Sequence, residues 1–290
     1  MKITFLGTAA AELYPGAWCH CDYCTYAREH GGRNIRFNSS IHFADKCLID
    51  FPADIMNKAL KYNIDLRPAE LLLCTHSHED HFYPKMLSWR YRSYGADQLE
   101  GMEKYRADCA RFGDLPQLRI FGNRKVFAKL QPYFLQRENV DYEMDYTIVE
   151  AYSEYRHAGV DFIPMIASHT DTDGERGLIY LVHAQGKSFL YATDSNTYID
   201  RTRDCIKAHK VDAVIMECTF GDSEKQGGHM SFNRMLNEVR FFEDSNIFNG
   251  RPQVYLTHMS PHRMPPYDML VERLKGTCIQ SAYDGMELEL

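Results

Sequence analysis

The segment that most constrains the fold is residues 76–81, HSHEDH, which directly follows the apolar run ELLLCT at residues 70–75. The apolar run predicts a buried strand, and the polar segment begins where that strand ends. Three imidazoles and a carboxylate supply nitrogen and oxygen donors suited to Zn, Mn or Fe. Unpaired buried imidazoles at this density would be costly. The segment therefore predicts a metal-binding loop at a strand end.

Short apolar runs and helix-like patterns alternate along the rest of the chain. Strands are predicted near residues 2–5, 40–43, 46–51, 118–121, 146–149, 160–167, 178–183, 188–192, 213–217, 253–257 and 287–290. Helices are predicted near residues 53–62, 125–135, 199–209, 232–242 and 267–274. This order indicates an α/β layered sandwich, with sheets packed on each other and helices outside. No repeat or linker interrupts it, so we expect one domain over residues 1–290.

Charge and hydropathy limit the partners that this chain can have. The sequence has 33 basic and 40 acidic residues, a formal net charge of -7, which argues against general coating of a polyanion. Residues 85–125 are an exception, with nine basic and five acidic residues, and we expect a basic, aromatic helical insertion there. The sequence has neither a signal-peptide core nor a run of ~20 apolar residues, so we expect a cytoplasmic protein without membrane contact.

The spacing of residues 76–81 matches the H-x-H-x-D-H motif and resembles the metallo-β-lactamase-fold hydrolases. The resemblance implies a four-layer αββα sandwich. It also implies that one metal binds His76 and His78, and that a second binds Asp80 and His81. Three further ligands are implied at later strand ends: His169 for the first metal, Asp194 as a bridge between the metals and His258 for the second metal.

A pair of divalent ions implies hydrolysis. Two ions held ~3.5–4 Å apart make a hydroxide available at neutral pH and neutralise charge on a phosphoryl or acyl oxygen. Asp80 counts among the expected catalytic residues as well as the ligands. The true β-lactamases have a cysteine at the position that matches Asp194 and carry a signal peptide, so hydrolysis of antibiotics is not expected.

A second pattern, ECTF at residues 217–220 followed by GHMS at residues 228–231, resembles the phosphodiesterase branch that includes tRNase Z. The histidine in that branch donates a proton to the scissile phosphate or stabilises it. The resemblance implies this role for His229, and a poor alkoxide leaving group needs such a general acid. Met230 beside it departs from the branch pattern.

The third pattern is Cys19-His20-Cys21-Asp22-Tyr23-Cys24, which places three cysteines within six residues. This set suits one closed tetrahedral zinc if a fourth ligand comes from elsewhere. The C-x-C-x-x-C start resembles the PhnP-type cyclic phosphodiesterases, which implies His262 as the fourth ligand. The spacing from His258 is one residue longer than in that family, and His20 or His30 is the reserve ligand. A structural zinc would hold the long loop at residues 8–38 beside the active site.

Together these patterns favour a metal-dependent phosphodiesterase that cleaves small, often cyclic, phosphodiesters. Arg90, Tyr91 and Arg92 follow the metal loop and are candidate substrate contacts, although a solvated helix explains them equally well. The expected cofactors are two divalent ions, Zn or Mn or else Fe, and one structural Zn. A homodimer is left open.

Three alternatives remain. The first is an endoribonuclease like tRNase Z, but the short interval between His169 and Asp194 leaves no room for the tRNA-gripping arm that this family inserts there. The second is the coenzyme PQQ biosynthesis protein B family, which shares the cysteine pattern but has a depleted metal loop. The third is a non-catalytic, zinc-stabilised binding protein.

Overall fold

Buried apolar runs form the central strands of two seven-stranded sheets in the computed structural model of the protein, which describes residues 1–90, 115–134, 143–170, 174–224 and 227–290. The first sheet has the order β14-β1-β2-β3-β4-β5-β6. Its strands are β1 (Lys2–Gly7), β2 (Ser40–Phe43), β3 (Cys47–Ile49), β4 (Leu71–Leu73), β5 (Leu118–Gly122), β6 (Met144–Ile148) and β14 (Glu287–Glu289). The strands β3 to β6 run parallel to one another.

The second sheet has the order β13-β12-β11-β10-β9-β8-β7. Its strands are β7 (Tyr155–His157), β8 (Val160–Thr170), β9 (Arg176–Ala184), β10 (Lys187–Ala192), β11 (Ala213–Glu217), β12 (Val254–Thr257) and β13 (Ile279–Ser281). The strands β10 to β13 are parallel, so their carboxyl ends meet at one edge of the sheet. That edge carries several of the functional side chains described below.

The helices lie outside the two sheets. They are α1 (Asp22–His30), α2 (Ile55–Lys61), α3 (Arg124–Phe134), α4 (Asp200–Lys207), α5 (Phe232–Asp244) and α6 (Tyr267–Leu274), with short 3-10 helices at Gly32–Asn34 and Pro84–Trp89. One apolar cluster fills the space between the sheets, a second packs α4, α5 and α6 on the second sheet, and a third packs α2 and α3 on the first. The four layers confirm the αββα sandwich predicted from the sequence.

The loop expected at residues 8–38 contains a helix, α1, which corrects the sequence analysis. The sequence DYCTYAREH buries only Cys24 and Ala27, so it lacks the apolar periodicity by which a helix is recognised. The three-residue strands β7 and β13 were also missed, because they are too short to show alternation. Most of the predicted insertion at residues 85–125 lies outside the described residues. Its described ends contain the 3-10 helix Pro84–Trp89 and, as predicted near residues 118–121 and 125–135, strand β5 and the start of α3.

Among the described residues, no helix combines the length and the apolar character that a bilayer crossing requires.

Candidate metal centre

The predicted ligands lie at the ends of strands from both sheets. Residues 76–81 follow β4, Asp194 and His258 follow the parallel strands β10 and β12, and His169 lies near the end of β8. His169 lies within this strand rather than after it, beyond a register shift between Ile166 and Thr170. The side chains of all seven predicted metal ligands lie close together at one edge of the two sheets.

The backbone at this edge is left-handed at three residues that are not glycine. Asp50 follows β3 with a φ of 64°, Asp194 has a φ of 50°, and His258 has a φ of 58°. Such conformations are uncommon outside glycine and concentrate at functional sites, where the surrounding structure imposes them. Each lies directly after or near the end of a strand, where the chain turns.

Three imidazoles form the first part of the centre. His76 Nε2 lies 2.9 Å from His78 Nδ1, which in turn lies 3.4 Å from His169 Nε2. The three nitrogens lie within 4.8 Å of one another, close enough to share one ion. The structure thus brings together the residues predicted for the first metal.

Asp80, His81 and His258 form the second part, and their ligand atoms also lie within 4.8 Å of one another. His81 Nε2 lies 3.1 Å from His258 Nε2, and Asp80 Oδ2 lies 3.4 Å and 3.6 Å from these two nitrogens. The structure therefore groups these three as the sequence predicts for the second metal.

Asp194 lies between the two parts and is 3% exposed. Its Oδ1 is 3.9 Å from His76 Nε2, whereas its Oδ2 is 3.0 Å from His81 Nε2 and 3.2 Å from His258 Nε2. Burial opposes its ionisation, but the surrounding imidazoles hold the pKa of its carboxyl well below the usual range. An ionised buried carboxylate among converging imidazole nitrogens fits a pair of divalent cations, with one carboxylate oxygen facing each ion.

Asp50, which was not predicted from the sequence, holds the metal loop through hydrogen bonds. Its Oδ2 accepts a 2.7 Å hydrogen bond from His81 Nδ1, and its Oδ1 accepts bonds from Thr75 N at 2.8 Å and Thr75 Oγ1 at 2.9 Å. Thr75 Oγ1 is also 3.1 Å from His76 Nδ1. The partner of Nδ1 decides which ring nitrogen is free, so Asp50 orients both imidazoles towards the centre. An acidic residue directly after the apolar strand β3 is the signal that could have found it.

His229 lies beside the centre, as predicted, with its ring centroid 4.9 Å from that of His169 and 5.4 Å from that of His258. Its Nδ1 is 3.3 Å from the buried Glu217 carboxylate. Burial disfavours the charged imidazolium, but Glu217 and Asp194 outweigh it and raise the pKa of His229 to about 9. Glu217 and Asp194 therefore favour the protonated form of His229.

Three cysteines converge near this edge. The sulfur atoms of Cys19, Cys21 and Cys24 lie within 4.8 Å of one another. The carbonyl oxygen of Pro261 is 3.6 Å from Cys24 Sγ, so the loop after His258 passes beside them. His262 is exposed and follows this contact. Its role as the fourth zinc ligand stays a prediction.

Arg90 makes structural contacts in the described part of the chain. Its guanidinium donates to the main-chain carbonyls of Ala69, Pro116 and Glu143 and so joins segments around β4, β5 and β6. Tyr91 and Arg92 lie outside the described residues. The predicted contact of these three residues with substrate stays a prediction.

Comparison with known proteins identifies the family. The family described as Beta-lactamase superfamily domain matches residues 45–259, most of the chain. The chain belongs to the β-lactamase superfamily. It is thus a metal-dependent hydrolase of the metallo-β-lactamase fold, as predicted. A comparison with curated proteins finds no match.

Solved structures share this superfamily fold at low sequence identity. A diphosphatase from the PhnP family matches with a TM-score of 0.71 and 21% identity, over 100% of this chain and 97% of the other. Zn²⁺-bound PqqB from Methylobacterium extorquens matches with a TM-score of 0.71 and 16% identity, over 100% of both chains. The short form of human tRNase Z matches with a TM-score of 0.63 and 15% identity, over 100% and 99%.

Gly228 shows how closely the His229 loop of this superfamily member packs on the centre. A Cβ atom at Gly228 would lie 2.4 Å from His169 Nδ1, far inside van der Waals contact. A Gly228→Ala substitution must displace either the His169 ring or the loop. We therefore expect metal binding at His76, His78 and His169 to weaken by about tenfold or more, measured by metal content after dialysis.

Gly177→Ala is the matched control. The new Cβ would meet its nearest neighbour, His76 Cβ, at 3.6 Å, an ordinary contact. Equal metal content in Gly228→Ala and Gly177→Ala would contradict the close packing of His169 on this loop.

Proposed function

We propose that the protein is a phosphodiesterase that hydrolyses small phosphodiesters, with cyclic ribose or nucleotide phosphates as the favoured class. The observation that carries the proposal is an imidazole held by a buried carboxylate, His229 with Glu217, directly beside two clusters of metal-ligating side chains. Zn, Mn or Fe all suit these donors. Metal alone suffices for many hydrolyses, but an alkoxide leaving group gains from a nearby general acid.

Different residues would bind the metals and donate the proton. The imidazoles of His76, His78 and His169 would hold one divalent ion, and Asp80, His81 and His258 the other, with Asp194 reaching both. When bound, two such ions lower the pKa of water and neutralise charge on phosphoryl oxygens. Because Glu217 holds Nδ1 of His229, Nε2 of that ring is the atom that gives a proton to the leaving oxygen.

The segment between His169 and Asp194 supports a small substrate. In its described residues this segment consists of the end of β8, then β9, a short turn and β10, with residues 171–173 outside the description. A nucleic-acid-gripping arm of the kind that the sequence analysis expects in tRNase Z has no place there. This favours a small substrate over a tRNA. The diphosphatase among the similar structures makes a phosphoanhydride the nearest competing bond.

A substrate screen tests the proposal. Purified protein loaded separately with Mn²⁺ and Zn²⁺ is assayed on cyclic phosphodiesters, bis(p-nitrophenyl) phosphate, diphosphate esters and a tRNA precursor. We expect the highest kcat/KM on the small phosphodiesters. Turnover confined to the anhydrides or to the tRNA would replace this assignment. A protein with bound metal and no turnover on any of these substrates would favour the binding-protein alternative.

The proton-donor role of His229 predicts a loss that depends on the leaving group. His229→Ala should lower kcat by about 10²–10⁴-fold for a substrate with an alkoxide leaving group. The loss should be much smaller for p-nitrophenolate, which leaves without a proton. His209→Ala is the control, since the His209 ring bonds to the main-chain carbonyl of Cys205 at the end of its own helix. An equal loss for both leaving groups would rule out proton donation.

We also propose that Cys19, Cys21 and Cys24 bind a structural zinc, with His262 as the fourth ligand. Such a site stabilises the fold because the ligands are brought together only in the folded chain. Cys24→Ser should remove one zinc per chain and lower Tm by about 5 °C or more. Cys278→Ser, at a half-buried cysteine far along the chain, should change neither. Unchanged zinc content in Cys24→Ser would refute the site. Cytoplasmic location and a homodimer stay predictions.

A further inference from the structure

Glu217 is fully buried at the end of β11. It lies next to the loop that carries Asp194, the loop that carries His229, and Thr219. Its Oε1 accepts a 2.6 Å bond from Ser195 N, next to Asp194. Its Oε2 accepts a 3.2 Å bond from Met230 N, next to His229, and lies 3.3 Å from His229 Nδ1. One carboxylate therefore holds both the loop that carries Asp194 and the loop that carries the proton donor.

The same Oε2 also lies 2.5 Å from the hydroxyl of Thr219, two residues further on. Thr219 is 3% exposed, and its Oγ1 lies 2.8 Å from His258 Nδ1 and 2.8 Å from the His258 carbonyl oxygen. Thr219 thus stands between a buried carboxylate and an imidazole whose other nitrogen, Nε2, faces Asp80, His81 and Asp194.

The single proton of this hydroxyl decides the state of the His258 ring. A hydroxyl donates one hydrogen bond, and a carboxylate is a stronger acceptor than a neutral carbonyl or imidazole. Thr219 therefore donates to Glu217 and accepts from His258 Nδ1–H. A neutral imidazole that is protonated on Nδ1 has its lone pair on Nε2, the atom that faces the second cluster of ligands.

We infer that Thr219 is a positioning residue. Its hydroxyl links the Glu217 carboxylate to His258 Nδ1 and so orients His258 Nε2 towards the second metal. The inference rests on the proposed dinuclear site and deepens it. It links two functions through one carboxylate, because Glu217 contacts the proton donor His229 directly and a metal ligand through Thr219.

A comparable arrangement beneath the metal loop shows why Thr219 gives the more selective test. Asp50 contacts His81 directly, and Thr75 connects it to His76. The Thr75 hydroxyl, however, also lies 3.3 Å from His81 Nδ1, so it touches one ligand from each cluster. Among the described contacts, the Thr219 hydroxyl reaches a ligand of the second cluster only.

The test is binding of Mn²⁺ by the full-length protein, followed by electron paramagnetic resonance. Wild type should show the spin-coupled signal of a metal pair. Thr219→Val should instead retain a mononuclear signal and need about 10–100-fold more Mn²⁺ to form the pair. Thr219→Ser keeps the hydroxyl and should stay within about threefold of wild type.

Thr202→Val is the matched control, since Thr202 is equally buried in α4 and its hydroxyl bonds to Ile166 and Tyr152, away from the centre. It should bind Mn²⁺ as wild type does. A pair signal in Thr219→Val at the wild-type Mn²⁺ concentration, or an equal loss in Thr202→Val, would overturn the inference. Absence of a pair signal in wild type, with Mn²⁺ or with Co²⁺ as the probe, would instead overturn the dinuclear site and the proposed function.

If Thr219→Val does not fold, a measurement on the wild-type protein still tests the inference. Long-range ¹H–¹⁵N spectra of the Zn²⁺-loaded protein report which nitrogen of each imidazole carries the proton. We expect His258 to be protonated on Nδ1. A proton on Nε2, or metal bound through Nδ1, would contradict the role of Thr219.

Discussion

The arrangement of Asp194 is the constraint on which the rest of the site depends. A carboxylate that is buried and ionised needs compensating positive charge, and in water-excluded surroundings the cost of leaving it unpaired is several kcal/mol. Imidazole nitrogens from two clusters surround it. Positive charge on these imidazoles holds the pKa of the Asp194 carboxyl low. An imidazole that binds a metal is neutral, so two divalent cations would then supply the compensating charge, and their ligands are already in place.

The fold makes this arrangement rigid. Parallel strands β10, β11 and β12 are hydrogen bonded along their length, so Asp194, Glu217 and His258 emerge at fixed spacing from neighbouring strand ends. The metal loop comes from the other sheet, and the buried apolar cluster between the sheets sets its distance from the first group. Carboxylates placed behind the ligands then fix the imidazole tautomers. The site is therefore organised before substrate arrives.

Much of the fold and the ligand set could be predicted from the sequence, because both leave local signals. The H-x-H-x-D-H motif is contiguous, and His169, Asp194 and His258 each stand at the end of an apolar run. Asp50 leaves a local signal as an acidic residue directly after β3, but its bonds to Thr75 and His81, like the bonds of Glu217, could not be predicted in this way. A carboxylate that accepts bonds from residues distant in sequence is recognised only when the strands that carry these residues are neighbours in space.

Local backbone conformation sets a second limit to prediction. Asp50, Asp194 and His258 have left-handed backbone conformations. Asp and His adopt this conformation more often than most residues, but the residue type alone does not predict it. Helix α1 could not be predicted from the sequence for a related reason. Contacts with the rest of the chain hold it in place, rather than an apolar stripe of its own.

The central claim is that seven side chains from both sheets hold two metal ions with Asp194 between them. Anomalous X-ray diffraction from crystals of the Mn²⁺-loaded protein measures this directly. We expect two anomalous peaks, one among His76, His78 and His169 and one among Asp80, His81 and His258, each in contact with a different oxygen of Asp194. A single peak, or metal bound away from Asp194, would contradict it.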